Sequence, residues 1–114
     1  MPTETRGAFR VYPTKDAPIV LKVGSTTLSA VDISSGGISF DNKNFKKGVP
    51  YPLEMSLPKD PKPIIAVVEI LKIDEKEVCR CKIANLTPEQ EDQIHHYVLT
   101  RQKEELAEKK HRLL

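Results

Sequence analysis

The sequence predicts a mainly β domain that ends in one α-helix. Eight of the nine prolines and all five glycines lie before residue 64, whereas residues 87–114 contain one proline and no glycine. Because Gly and Pro mark turns and interrupt helices, the first three quarters of the chain should be strands joined by turns. The length of 114 residues is that of one domain, so we expect a single core.

Six segments have the composition of strands, since they are short, rich in apolar residues and bounded by turn residues. They are residues 18–23, 26–34, 37–40, 51–57, 64–73 and 77–83. Consecutive strands at this spacing pair in antiparallel fashion and form either a small barrel or a sandwich.

The apolar residues of two segments carry a further expectation. In 26–34 they change face between Leu28 and Ala30 on one side and Val31 and Ile33 on the other. That change predicts a bulge near Ala30. Segment 64–73 is apolar on both faces, which predicts that both faces are covered.

The two cysteines, Cys79 and Cys81, are two residues apart in the last strand segment. Side chains at this spacing share a face of a strand and are poorly placed for an unstrained disulfide. Two thiols are also too few for a structural zinc site. We therefore expect two buried, reduced thiols, which favours a cytoplasmic protein.

The final segment has the signals of a helix start, with Thr87 as N-cap, Pro88 in the first turn and Gln90 completing a capping box. The face expected to dock on the strands consists of Ile94, Tyr97, Val98 and Arg101. Beyond Arg101 most residues are charged, so we expect this part to be solvated and dispensable for folding and binding. Leu99, Leu106 and Leu113 recur every seven residues, either as stray leucines or as a weak helix–helix contact, so the chain is expected to be a monomer or a weak homodimer.

Composition excludes several classes of function. The net charge is only +2, from eighteen basic and sixteen acidic residues, which argues against a general binder of duplex DNA or of membrane surfaces. With six aromatic residues and no Trp, a stacking platform for single-stranded DNA or RNA is not expected. The longest apolar run is 64–68, too short for a membrane span, and the N-terminus lacks the apolar region of a secretory signal.

The sequence does not predict an enzyme. The three histidines, His95, His96 and His111, lie on the polar helix without spaced Asp, Cys or Ser partners. The chain contains neither a P-loop nor a dinucleotide-binding fingerprint. We therefore expect no catalytic residues, no metal site and no cofactor.

Two short clusters carry the functional signal. RGAFR places Arg6 and Arg10 four residues apart before the first strand, and DISSGG places Asp32, Ser34 and Gly37 between two strands. Each cluster alone has an ordinary explanation, as a solvated terminal segment and as a turn whose side chains bond the local backbone. Together they suit a small, doubly anionic ligand that carries guanine. Arginine fits the O6/N7 edge of guanine or a phosphate, a carboxylate accepts from guanine N1–H and N2–H₂, a hydroxyl bonds either, and glycine permits close approach.

RxxxR followed by DxSxxG resembles the PilZ family, bacterial receptors for cyclic di-GMP. RCKIANL before TPEQ and the later YVLTRQKEE also resemble the end of a PilZ domain, most of all the PilZ half of flagellar-brake proteins. The resemblance implies a single domain with a six-stranded antiparallel β-barrel and a C-terminal helix. It divides the chain into an N-terminal arm over 1–17, a barrel over 18–86 and a helix over 87–114.

The resemblance also implies roles for the motif residues. Arg6 and Arg10 would lie on a flexible arm that closes over cyclic di-GMP, with Arg10 reading the guanine edge. Asp32 would hold the Watson–Crick edge of guanine, Ser34 would bond the ligand, and Gly37 would shape the turn beneath it. Ligand binding would order the arm and change the surface shown to a downstream protein partner, in control of motility or biofilm. The alternative is a barrel that acts as a protein-interaction adaptor without nucleotide binding.

Two departures from the family leave questions open. Many relatives carry Arg or a bulky apolar residue just before RxxxR, where this chain has Thr5, so one or two ligands per chain remain open. Flagellar-brake proteins also carry an N-terminal domain, so the chain is expected to be either a stand-alone receptor or an excised domain.

Overall fold

The computed structural model describes residues 10–113, with side chains as far as Glu108. Six strands and one helix follow each other along the chain. They are β1 (Val20–Val23), β2 (Thr26–Ile33), β3 (Gly37–Asp41), β4 (Pro50–Ser56), β5 (Ile64–Ile73), β6 (Val78–Ala84) and α1 (Pro88–Leu113). The mainly β architecture with a C-terminal helix is therefore confirmed.

The six strands form a closed antiparallel barrel in the order β1-β2-β3-β6-β5-β4. The barrel closes where β1 pairs with β4, with Val20 opposite Ser56 and Val23 opposite Leu53. Of the two arrangements that the strand spacing left open, the closed barrel is correct. Closure leaves neither β1 nor β4 as an edge strand that could pair with another chain.

The predicted bulge lies in β2 and sets the face on which Asp32 stands. Ala30 is opposite Phe40 and Asp32 is opposite Ser39, so Val31 is the extra residue of the β2–β3 ladder. After the bulge, Ile33 is buried in the barrel, whereas Asp32 points to the outer side with Ser39. The prediction of a bulge near Ala30 is confirmed.

The core is filled by one face of each strand, as alternation requires for a small barrel. Its largest fully buried side chains include Phe40, Leu21, Met55 and Ile70. The expectation that β5 is covered on both faces is wrong, because Ile65 is 58% exposed and Leu71 is 53% exposed. Both side chains lie on the outer face of the barrel wall, and only the inner face of β5 packs in the core.

The capping box of α1 is present as predicted. The Gln90 N–H donates to Thr87 Oγ1 at 3.1 Å, and the Thr87 N–H donates to Gln90 Oε1 at 3.0 Å. Ile94, Val98 and Arg101 are buried and Tyr97 is half-buried, so the predicted docking face is confirmed. Leu99 and Leu106 are exposed, while the side chain of Leu113 falls outside the described part, so self-association stays a prediction.

From Gln102 to Glu108 the helix is mostly exposed, as predicted, but Glu105 makes a contact that the sequence did not indicate. Glu105 Oε2 accepts a hydrogen bond from the Tyr12 N–H at 2.9 Å, across 93 residues of sequence. This contact joins the distal half of α1 to the first described residues of the chain. It was not foreseen because nothing in the spacing of charges along α1 indicates a partner so far away in sequence.

Cys79 and Cys81 are free and buried on the inner face of β6, as predicted. Burial raises the pKa of the Cys81 thiol to about 12 and also raises the pKa of Cys79. Both thiols are therefore protonated and unreactive in the folded chain. Within residues 10–113, no helix is long and apolar enough to cross a membrane.

Candidate functional site

The site begins where the segment before β1 joins the barrel. Val11 is fully buried and pairs with Ile33, since the Val11 N–H donates to the Ile33 carbonyl at 3.0 Å and the Ile33 N–H donates back at 3.1 Å. This two-bond bridge places Arg10 beside Asp32. Arg6, the other predicted arm residue, lies outside the described residues, as does Thr5.

Asp32 is the buried acid of the site. Its side chain is only 3% exposed although it stands on the outer face of the barrel. Arg10 Nη1 donates to Asp32 Oδ1 at 2.8 Å, so two motifs separated by 22 residues meet directly. A charge-assisted hydrogen bond of this length is among the stronger polar contacts in proteins.

Arg80 is a functional candidate that the sequence analysis missed. Its Nη1 donates to Asp32 Oδ2 at 3.2 Å and to Ser39 Oγ at 3.2 Å, while its Nη2 donates to Asp74 Oδ2 at 3.3 Å. Asp32, Ser39 and Arg80 are successive cross-strand neighbours on β2, β3 and β6. The sequence places Arg80 between Cys79 and Cys81, so it should point outward from the strand. Only the strand register shows that it lies beside Asp32.

Asp74 anchors the far side of this network in the turn between β5 and β6. Its Oδ1 accepts the N–H groups of Lys76 at 2.9 Å and Val78 at 3.0 Å. The hydrogen bond from Val78 is the main cause that lowers the pKa of Asp74; Lys76 and Arg80 lower it further, against an opposing effect of desolvation. Asp74 therefore holds Arg80 in place from a turn that its own carboxylate stabilises.

Ser34 and Gly37 form the turn that follows Asp32 and Ile33. The Ser34 N–H donates to the Gly37 carbonyl at 2.9 Å, and Ser34 Oγ lies at hydrogen-bond distance, 3.5 Å, from the same oxygen. A Cβ on Gly37 would lie 3.1 Å from the Cys81 carbonyl oxygen, tighter than an ordinary van der Waals contact. A side chain here would press on the neighbouring backbone, because β3 and β6 approach closely at this turn.

The site thus brings Arg10 and Asp32 into contact and places the Ser34–Gly37 turn at the end of the same strand. Within the described residues, the exposed parts of this site are the side chains of Arg10 and Arg80, whereas Asp32 is buried between them. A cleft of about 370 Å³ lies elsewhere, lined by Tyr97, Arg101 and Lys59 among others. Two guanidinium groups, Arg10 and Arg80, face two carboxylates, Asp32 and Asp74, so the described charges of the site balance.

Several solved structures resemble the chain in fold, including two of YcgR and one of MotI/DgrA. The PilZ domain with c-di-GMP of YcgR from Escherichia coli has a TM-score of 0.64 at 15% identity, over 90% of this chain and 95% of that one. YcgR in complex with c-di-GMP from Escherichia coli has a TM-score of 0.70 at 17% identity, over 93% of this chain and 49% of that one. The Bacillus subtilis inhibitor of motility (MotI/DgrA) has a TM-score of 0.65 at 19% identity, over 83% of this chain and 49% of that one.

The chain therefore spans about half the length of the YcgR complex and of MotI/DgrA. No curated protein matches it significantly by sequence. At the family level the result is clear, because the model of the PilZ domain matches residues 4–100, which include both sequence motifs and all six strands. With this match, and with a six-stranded barrel that presents Arg10 and Asp32 together, the chain belongs to the PilZ domain family.

Proposed function

We propose that the chain is a receptor for cyclic di-GMP and that Arg6, Arg10, Asp32, Ser34 and Gly37 bind this ligand. Two structures that resemble it, the YcgR domain and the longer YcgR chain, hold c-di-GMP by their titles. We propose the same ligand for this chain because its own site residues suit it.

The observation that carries the proposal is the contact of Arg10 with Asp32. Arg10 Nη1 donates to Asp32 Oδ1 at 2.8 Å, the same kind of bond that a guanine N1–H or N2–H₂ would make to this carboxylate. The side chain of Arg10 is 41% exposed, so it can turn from Asp32 to the O6/N7 edge of a guanine. Binding would thus exchange one charge-assisted bond for two, one at each group.

The charges of the described site residues balance, which leaves a role for Arg6 as the cation that would hold the ligand phosphates. Arg10 and Arg80 are matched by Asp32 and Asp74, whereas cyclic di-GMP brings two phosphates. An additional cation is needed to hold these phosphates, and Arg6 is the residue that the RxxxR motif supplies four positions before Arg10. Ser34 would contribute a hydroxyl to the ligand from the turn shaped by Gly37.

Arg80 extends the proposed site as a positioning residue. It holds Asp32 Oδ2 while Arg10 holds Oδ1. Arg80 is fixed in turn by Asp74 and does not belong to the arm, so it can keep the carboxylate oriented when Arg10 turns to the ligand.

The proposed output is a change of surface without catalysis. Ligand binding orders the arm over the barrel, and the reshaped surface meets a downstream protein partner. Control of motility is the process we favour, because MotI/DgrA is by its title an inhibitor of motility. We further propose that the module comprises an arm over 1–17, a barrel over 18–86 and a helix over 87–114. Its free thiols suit the reducing cytoplasm.

Calorimetric titration of the purified chain with cyclic di-GMP tests this function. GTP and a short single-stranded oligonucleotide serve as ligand controls, and Lys22→Ala removes an exposed charge of β1 as the protein control. We expect saturable binding of cyclic di-GMP alone, unchanged in the control variant. A folded wild-type chain that binds none of the ligands would favour the adaptor function. Binding of the oligonucleotide in preference to cyclic di-GMP would contradict the ligand assignment.

A further inference from the structure

The backbone of residues 11–12 is held on both of its edges, by β2 on one side and by α1 on the other. Successive residues of an extended segment point their N–H and C=O groups in opposite directions. Val11 uses its two groups on Ile33 of β2. Tyr12, the next residue, turns its two groups toward α1.

Two side chains of α1 pair with Tyr12 as a neighbouring strand would. Arg101 Nε donates to the Tyr12 carbonyl at 2.7 Å, and Glu105 Oε2 accepts from the Tyr12 N–H at 2.9 Å. We name this pair of bonds the Tyr12 clasp. It acts on the backbone alone, because the side chain of Tyr12 is exposed.

The clasp is a built feature of the fold and not a chance surface contact. Arg101 is buried, and it also donates from Nη1 to Glu104 Oε1 at 2.8 Å and from Nη2 to Glu105 Oε2 at 3.3 Å. Burial alone would lower the pKa of Arg101, but the bond to Glu104 and the charges of Glu105 and Glu104 raise it instead. The guanidinium therefore stays charged and fixed one helical turn before Glu105.

The clasp lies two residues from Arg10, a distance of about 7 Å along an extended chain. We propose that Arg101 and Glu105 are positioning residues for the ligand-binding arm: by fixing the backbone of Tyr12 they keep the backbone of Arg10 beside Asp32, from where its side chain can turn to cyclic di-GMP, and so they couple the distal half of α1 to the ligand. This inference rests on the proposed function. It also reverses the expectation that residues beyond Arg101 are dispensable for binding.

The coupling acts in both directions, because thermodynamic linkage is reciprocal. If the clasp favours the bound position of Arg10, then ligand binding strengthens the clasp by the same factor. The segment of α1 around Arg101 and Glu105 is then tightened by a ligand that it does not touch. A partner that recognises this end of the helix would sense the ligand through it.

Glu105 is the residue to test, because Arg101 is buried and its loss would also destabilise the fold. The variants are Glu105→Ala, which removes the acceptor, and Glu105→Gln, whose amide oxygen can still accept the Tyr12 N–H. Glu108→Ala is the matched control, since it removes an exposed carboxylate of the same helix outside the clasp. Cyclic di-GMP affinity is measured by calorimetry, and exchange of the Tyr12 amide by NMR with and without ligand.

We expect Glu105→Ala to bind at least about fivefold more weakly than wild type. Glu105→Gln and Glu108→Ala should stay within about twofold. The Tyr12 amide should exchange faster in Glu105→Ala, and ligand should slow its exchange in wild type. A wild type that binds beside a Glu105→Ala variant of equal affinity would overturn the coupling alone, as would equal losses in Glu105→Ala and Glu108→Ala. A wild type that does not bind would overturn the proposed function, and the coupling with it.

Discussion

Two arginine–carboxylate networks flank the start of the described chain, and they are built in opposite senses. At the proposed ligand site one buried acid, Asp32, is 3% exposed and is shared by two arginines that are 41% and 38% exposed. At the Tyr12 clasp one buried arginine, Arg101, is 9% exposed and is shared by Glu104 and Glu105, which are 53% and 28% exposed.

The exposed fractions of these side chains indicate which partner in each network can move. A buried charged group loses much when it is left unpaired, whereas a solvated partner can leave at small cost. Asp32 and Arg101 are therefore the fixed points. The exposed side chain of Arg10 can exchange its partner, as the proposed ligand binding requires, while the clasp binds a backbone and has no solvated cation to release.

The largest effect on ligand affinity is expected from a substitution of Arg10. Arg10→Ala removes the group proposed to read guanine, and a charge-assisted contact of this kind contributes about 1.5–3 kcal/mol. We expect cyclic di-GMP affinity to fall roughly tenfold to over a hundredfold by calorimetry, with the barrel still folded by circular dichroism. Lys22→Ala is the control. An affinity close to wild type in Arg10→Ala would remove this residue from the site.

The fixed point of the second network should respond in stability. Arg101→Met keeps the apolar stem but leaves the Tyr12 carbonyl without its donor and Glu104 and Glu105 without their cation. We expect the free energy of unfolding in urea to fall by about 1–3 kcal/mol. Arg101→Lys should lose less, since it retains the charge. Equal unfolding midpoints for Arg101→Met and wild type would show that Arg101 is not a fixed point.

Arg80 is also partly exposed, but Asp74 holds it in place, so we expect it to stay on Asp32 when Arg10 turns to the ligand. Arg80→Met should weaken cyclic di-GMP binding by about two- to tenfold, the range expected for one hydrogen bond. It should also reduce the preference for guanine over a hypoxanthine analogue that lacks the 2-amino group, because Asp32 loses its orientation. A purely structural role for Arg80 would weaken both ligands alike, and that outcome would contradict the positioning role.

The smallest expected effect concerns Asp74, the anchor of Arg80. Its pKa is lowered in the folded chain, chiefly by the bond from the Val78 N–H. Its contribution to stability is therefore complete above the ordinary aspartate pKa of about 3.9 and is lost as the pH falls through the lower folded value. Asp74→Asn should be less stable than wild type near neutral pH, and the difference should shrink below about pH 4 in urea unfolding. Glu75→Gln is the exposed control, and a difference that grows in acid would contradict this sign.

Local chemistry made much of the fold predictable from the sequence. The capping box of Thr87 and Gln90 and the bulge near Ala30 depend on neighbours within a few residues, and both were found where expected. The exposure of Ile65 and Leu71 was missed because an apolar run does not reveal which face of a strand is covered. Arg80 and Glu105 were missed because register and helix docking, across 48 and 93 residues, bring them to Asp32 and Tyr12.

The two buried thiols of β6 provide a chemical probe of how often the barrel opens. Cys79 and Cys81 stand in the wall between β3 and β5, and the pKa of Cys81, about 12, keeps its thiol protonated. An alkylating reagent reaches them only when these strands separate, so the labelling rate measures how often the barrel opens. The labelling rate of these thiols thus reports on the opening of the barrel wall around β6.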